Sequence, residues 1–213
     1  MHHSGGAAAE TIYLYGEVID QAHQTLGDKC KTCVVGLGLG YIEITWALSL
    51  LKKNLTPSID LSFHSFEISP ELQKNFLKWV RTSEAEPVYD LIVEKLQPNK
   101  PVKQVKEILN KALENGSTIQ SDISEFKDNN LKCNVICYDA FSRKTNEGLW
   151  SYEFLNSFLI KFAAKNCVFT TYACTSVLRK TLTENGFQFL KRPGFSGKRE
   201  SSLATRAMTL NHS

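Results

Sequence analysis

Long apolar runs are absent from this chain. No segment of its 213 residues approaches the length of a membrane span, and the N-terminus lacks the basic and apolar regions of a secretory signal. Charge of one sign is not in excess either. Lys and Arg number 25 against 22 Asp and Glu, and the net +3 does not announce nucleic-acid binding by itself, although it leaves room for a local basic patch. Six cysteines do not make a disulfide framework at this size. Most fall in or beside expected strands, and they read as reduced thiols of a cytoplasmic protein. Internal repeats and low-complexity linkers are lacking as well. A 42% hydrophobic and 22% charged composition is that of an ordinary soluble globular protein large enough to bury a core. One domain over residues 1–213 is expected.

What the chain does carry is a strand that runs into closely spaced glycines. Cys33-Val34-Val35 leads to Gly36-Leu37-Gly38-Leu39-Gly40, and a helix from Ile42 to Leu51 follows. Glycine lets the main chain approach a ligand without a Cβ, and the helix N-terminus adds amide donors. A dinucleotide fingerprint needs G-x-G-x-x-G, whereas here the third glycine comes one residue early and Tyr41 takes its place. G-x-G-x-G before a helix is the form common among S-adenosylmethionine-dependent methyltransferases. A tight strand-to-helix turn with no ligand is the alternative. Gly36, Gly38 and Gly40 are the candidate cofactor glycines.

Three later strands each end in an acid. Ile59 to Phe66 ends at Glu67, Thr118 to Ser121 at Asp122, and Val135 to Tyr138 at Asp139. The carboxyl edge of an α/β sheet is where ligands sit. An acid after the second strand can accept both hydroxyls of a ribose, so an adenosyl cofactor fits, with Glu67 on the ribose and Asp122 near the adenine amine. Asp139 is the candidate catalytic residue and also faces the cofactor. It opens a polar loop, Ala140-Phe141-Ser142-Arg143-Lys144, that runs on to Trp150. The plainer reading is that Asp139 caps the next helix or opens a turn.

The remaining pattern alternates. Apolar positions Ile12, Leu14, Tyr15, Val18, Ile19 and Ala22 predict an amphipathic helix over 7–25, and residues 1–30 are expected on the substrate side. Cys30-Lys31-Thr32-Cys33 can be half of a zinc site, but Cys133 and Cys137, the available second half, sit on a strand at the wrong spacing. No metal is expected. Ser69-Pro70 begins a helix, and residues 70–115 read as two or three helices forming an excursion. The lysines of this excursion, including Lys95, Lys100, Lys103 and Lys106, suit a solvated face. Helices at Tyr152 to Ala164 and Ser176 to Asn185, with Gly186 as a stop, flank a strand at Cys167 to Tyr172. Strands at Phe187 to Lys191 and Ser201 to Arg206 close the chain. This is an α/β protein with a mostly parallel sheet, a terminal antiparallel pair, and helices on both faces.

Several ordered motifs resemble the MnmC-like methyltransferase domains, the tRNA 5-methylaminomethyl-2-thiouridine methyltransferase family. They are H-S-G-x-A-x-x-E at His3 to Glu10, the G-L-G-L-G turn, and F-E-I-S-P at Phe66 to Pro70. Further along come Y-D-A-F-S-R-K-x-N from Tyr138 with Trp150, F-T-T-Y at Phe169 to Tyr172, V-L-R-K-x-L-x-x-x-G-F from Val177, and G-F-S-G-K-R-E from Gly194. The chain departs from the family at Ser142-Arg143 and Asn146-Glu147-Gly148, where prolines are usual.

The resemblance implies a class I, Rossmann-like methyltransferase with a seven-stranded sheet. It also implies S-adenosyl-L-methionine as cofactor and N-methylation of the aminomethyl group on a modified wobble uridine of tRNA. It implies a stand-alone domain without the FAD-dependent oxidase half, which then acts as a separate partner. A wobble base must leave its stack to react, and aromatic rings help hold it; Phe141, Trp150 and Tyr172 are the candidates. Phosphate contacts are expected from the late basic residues Arg143, Lys144, Arg179, Lys180, Lys191, Arg192, Lys198 and Arg199. Lys144, Arg179 and the pair Lys198-Arg199 enter the substrate set. Two other readings stand beside this one: the same fold acting on another amine of a small molecule or protein, and a non-catalytic relative that binds tRNA.

Overall fold

A computed structural model describes residues 6–84, 86–126, 130–140, 146–197 and 200–210. Seven strands form one sheet: β1 (Thr32–Val35), β2 (Phe63–Phe66), β3 (Thr118–Gln120), β4 (Cys133–Tyr138), β5 (Ala163–Thr171), β6 (Gln188–Pro193) and β7 (Glu200–Arg206). Their spatial order is β3-β2-β1-β4-β5-β7-β6. The first five pair in parallel, and β7 runs antiparallel to both β5 and β6. The chain winds outward from β1 in one direction through β2 and β3, then returns to its other side with β4. The order therefore reverses between β1 and β4, and ligands of open α/β sheets bind outside the carboxyl ends at such a reversal.

Both faces of the sheet are covered, which is why its strands read as continuous apolar runs. Successive residues on a strand point to opposite faces. Val34, Val135, Cys137 and Val168 enter one core with the N-terminal helices and α3 to α6, and Cys33, Val35, Ile136, Tyr138 and Phe169 enter the other with α7 and α8. The helices are α1 (Ala7–Thr11), α2 (Glu17–Leu26), α3 (Tyr41–Lys53), α4 (Pro70–Arg81), α5 (Pro87–Leu96), α6 (Val102–Glu114), α7 (Tyr152–Phe162) and α8 (Ser176–Glu184). Helix α3 lies between the sheet and the outer helices and is buried on every side from Ile42 to Leu50. Ser69 caps α4 by accepting from the Leu72 amide, with Pro70 at its first position. Gly186 ends α8 at φ 80°. Among the described residues, no helix is long and apolar enough to cross a membrane.

Several elements differ from the pattern-based reading; β5, for one, begins at Ala163 where the end of a helix was expected. The second strand is shorter than Ile59 to Phe66. Ser58 and Leu61 exchange main-chain hydrogen bonds at 3.1 Å, so Ile59 points to solvent on a turn and only Phe63–Phe66 joins the sheet. The N-terminal helix contains a π-helical turn, Ile12–Gly16, between α1 and α2. Leu14 and Tyr15 of this turn and Val18, Ile19 and Ala22 of α2 are buried, on one inward face of the helix.

Candidate functional site

Gly36, Gly38 and Gly40 have φ values of 95°, 53° and 71°, a region that side chains enter only at a cost. Each serves a different contact. A Cβ on Gly36 would lie 2.7 Å from the Asp139 carbonyl oxygen, and one on Gly40 would strike the Phe76 ring. A Cβ on Gly38 would meet nothing, because that position faces open space at the carboxyl edge.

The open space is a cleft of about 380 Å³, within the range of small-molecule sites. Its lining brings together Gly36, Gly38, Glu67, Asp122 and Asp139, the three strand-end acids and two of the three glycines. Phe66, Ile68, Ile123, Leu149 and Phe154 supply apolar wall. Both Glu67 oxygens are held by main chain: Gly38 N–H donates to Oε2 at 3.0 Å and Ser69 N–H to Oε1 at 2.9 Å. A carboxylate offers about four lone-pair sites, so acceptor capacity remains for ligand hydroxyls. Asp122 Oδ1 accepts from the Ser124 amide and hydroxyl, each at 2.8 Å, and caps the short helical turn after β3.

A second cleft of about 300 Å³ lies on the other side of the glycine turn. It shares Gly36, Gly38 and Asp139 with the first, and adds Glu10, Thr11, Leu14, Tyr15, Tyr41 and Tyr172. Asp139 thus sits where the two spaces meet, and its main-chain N–H donates to Val35 O at 2.8 Å. Its carboxylate accepts the Tyr15 hydroxyl at 2.7 Å on Oδ1. Burial, followed by the charge of Asp139 and the hydrogen bond to it, raises the Tyr15 hydroxyl well above its ordinary pKa. Tyr172 donates to Ala140 O at 2.8 Å, and burial together with Asp139 pushes it up to about 12. Both tyrosines are therefore neutral donors at physiological pH. Behind the turn, Glu43 is fully buried and accepts the Ser65 hydroxyl at 2.6 Å. Burial pushes its carboxyl up to about 8, against the Ser65 bond and with help from Asp139 and Glu67.

Some expectations need correction. Trp150 is only 3% exposed and packs edge-on against Tyr138 at 5.0 Å and Tyr172 at 6.1 Å. Enclosed in this way, it has no open face for a base. Arg179 is exposed on α8 over the Phe189 ring and lines neither cleft. Arg192 turns inward to Leu14 O and Thr170 Oγ1, while Lys191 pairs with Glu200 and Lys180 with Glu184. Phe141, Lys144, Lys198 and Arg199 lie outside the described residues. Pattern reading passed over Glu43, and it placed Tyr15 simply on an apolar helix face.

A nucleotide-type cleft at the strand reversal, rimmed by three acids, defines a class of nucleotide-cofactor proteins. The profile of a family described as S-adenosyl-L-methionine-dependent methyltransferase matches residues 92–207, and the chain belongs to that family. A 76-residue segment is 34% identical to the tRNA 5-methylaminomethyl-2-thiouridine biosynthesis bifunctional protein MnmC of Hahella chejuensis, covering 36% of this chain and 12% of that protein. For the protein of the same name from Burkholderia thailandensis, 69 residues are 35% identical, covering 32% of this chain and 10% of the relative. The matched segments are thus a small part of these relatives' own length. The fold superposes on MnmC2 from Aquifex aeolicus with a TM-score of 0.60, over 100% of this chain and 65% of that one, at 19% identity. That is a likeness of fold.

S-adenosyl-L-methionine suits the residues present. The unobstructed face of Gly38, the apolar walls and the fixed acceptors of Glu67 and Asp122 match a base, a ribose and their donors, and the cluster of carboxylates favours a sulfonium cation.

Proposed function

We propose that this chain methylates the aminomethyl nitrogen of a modified wobble uridine in tRNA, converting 5-aminomethyl-2-thiouridine to 5-methylaminomethyl-2-thiouridine. The observation that carries the reading is the position of Asp139, common to a cofactor-type cleft and to a second cleft open to an acceptor. The substrate comes from the relatives' names, and the matched segments join it to this chain.

When bound, the cofactor would supply an electrophilic methyl to the amine nitrogen, with the electron pair of the broken C–S bond left on sulfur and the amine's surplus proton passing to water. The protein's part is placement, which provides much of the acceleration in such a displacement. Glu67 and Asp122 hold the nucleoside end, and the Gly36 to Gly40 turn brings the main chain close beneath it. Asp139 accepts an N–H of the neutral amine, aims its lone pair, and steadies the positive charge that develops on nitrogen. Tyr172 lines the acceptor side beside it. Phe141, Lys144, Lys198 and Arg199 complete the base-holding and phosphate-binding set in this reading. In this reading an FAD-dependent oxidase acts upstream to supply the free amine.

The test is mass analysis of nucleosides after tRNA bearing the free aminomethyl group is incubated with the protein and methyl-labelled cofactor. One labelled methyl on that nucleoside is expected. Label on a different amine, or cofactor binding with no transfer to tRNA, would replace the reading.

A further inference from the structure

Asp139 is exposed at the strand edge, and a hydrogen bond from a fixed donor narrows the rotamers a carboxylate samples. Here its Oδ1 meets the hydroxyl of Tyr15, a residue 124 positions away in sequence. Tyr15 is itself rigid, only 2% exposed and within the π turn Ile12–Gly16. That turn is tied from outside. Leu14 O accepts the Thr170 hydroxyl at 2.6 Å and Arg192 Nη2 at 3.3 Å, and the Arg192 guanidinium lies over the Tyr13 ring. Gly16 allows close approach, since a Cβ there would stand 3.2 Å from Thr45 on α3. A π turn inside a helix commonly marks a functional position.

We infer that Tyr15 is a positioning residue for methyl transfer, fixing the Asp139 carboxylate in its charged form and in one orientation toward the acceptor amine. The inference rests on the role of Asp139 proposed above. A hydrogen bond to the charged form favours that form. The bond therefore keeps Asp139 as an acceptor aimed at the amine rather than a mobile base. Because burial holds the Tyr15 hydroxyl protonated, the contact persists across the working pH range. Among the described residues, the titratable groups around Asp139 include Tyr172, Cys137 and Glu43, which interact with it electrostatically, with Glu67 and Glu10 on the two clefts it shares.

The test is Tyr15→Phe, which keeps the ring and removes this one donor to the carboxylate, read by carbon-13 NMR titration of the Asp139 carboxyl, assigned by Asp139→Asn, and by kinetics. The expected titration midpoint rises by about one pH unit, the worth of a charge-assisted hydrogen bond. The kcat is expected to fall roughly 10- to 100-fold, with acceptor KM within about threefold and cofactor affinity within about twofold. In the double variant, Tyr15→Phe should add little to Asp139→Asn. An unmoved midpoint overturns the inference, and so does a moved midpoint with unchanged kcat. A moved midpoint in a chain whose wild type does not methylate tRNA supports the contact and overturns the substrate reading instead.

Discussion

The Gly38 amide donates to Glu67 Oε2 at 3.0 Å, and so the turn after β1 and the acid after β2 form one unit. Glu67 also accepts the Ser69 amide, which ties the start of α4 to the same carboxylate. Glu67→Ala therefore leaves two main-chain donors without this partner, at a cost of about 1–3 kcal/mol for each that water cannot reach. Affinity for S-adenosyl-L-methionine, measured by calorimetry, should weaken by more than about tenfold, and the melting temperature should fall with it.

The glycines separate binding from stability. Gly38→Ala puts a Cβ into open cleft at φ 53°, which costs about 1–2 kcal/mol of backbone strain and obstructs the ligand. Gly40→Ala adds collision with the buried Phe76 ring to the same strain, costing about 1–3 kcal/mol more. Thermal unfolding alongside cofactor titration should show Gly38→Ala losing mostly affinity and Gly40→Ala losing mostly stability.

Glu43 makes stability depend on pH. Its folded-state carboxyl, at about 8, lies above the ordinary value of 4.5. Between those limits the unfolded chain releases a proton that the native chain keeps, so stability falls as pH rises through this window. Glu43→Gln, which retains an oxygen for the Ser65 hydroxyl, should flatten that dependence. Melting curves near pH 5 and near pH 9 should give similar temperatures for the two proteins at the acid end, with the variant higher by a few degrees at the alkaline end.

On the proposed reading, Asp139→Ala should abolish turnover while leaving cofactor affinity within about an order of magnitude, since the nucleoside end is there assigned to Glu67, Asp122 and the glycine turn. Unchanged turnover would remove Asp139 from the mechanism.

Much of the fold was legible because its signals are local. Alternation, glycines and caps such as Ser69-Pro70 place the strands and most helices, and the acids Glu67, Asp122 and Asp139 fall at strand ends by simple position. What was not legible depends on tertiary packing. Trp150 looks like a stacking ring until Tyr138 and Tyr172 are seen to enclose it. The basic residues look alike in sequence, yet Arg192 is drawn to a main-chain carbonyl of the π turn. Tyr15 has the spacing of a core residue, and its hydroxyl meets Asp139 across 124 positions of sequence, a contact that local spacing does not reveal. Ile59 looked like strand because its β-branched side chain favours one, but the turn closed by Ser58 and Leu61 took precedence.

The central claim is that one strand reversal holds the cofactor on the Glu67 side of Asp139 and the acceptor on the Tyr15 side. A crystal structure with S-adenosylhomocysteine tests it most directly. The account predicts the nucleoside between Glu67 and Asp122, with the sulfur directed toward Asp139. A nucleoside seated among Glu10, Tyr15 and Tyr172 instead would contradict it.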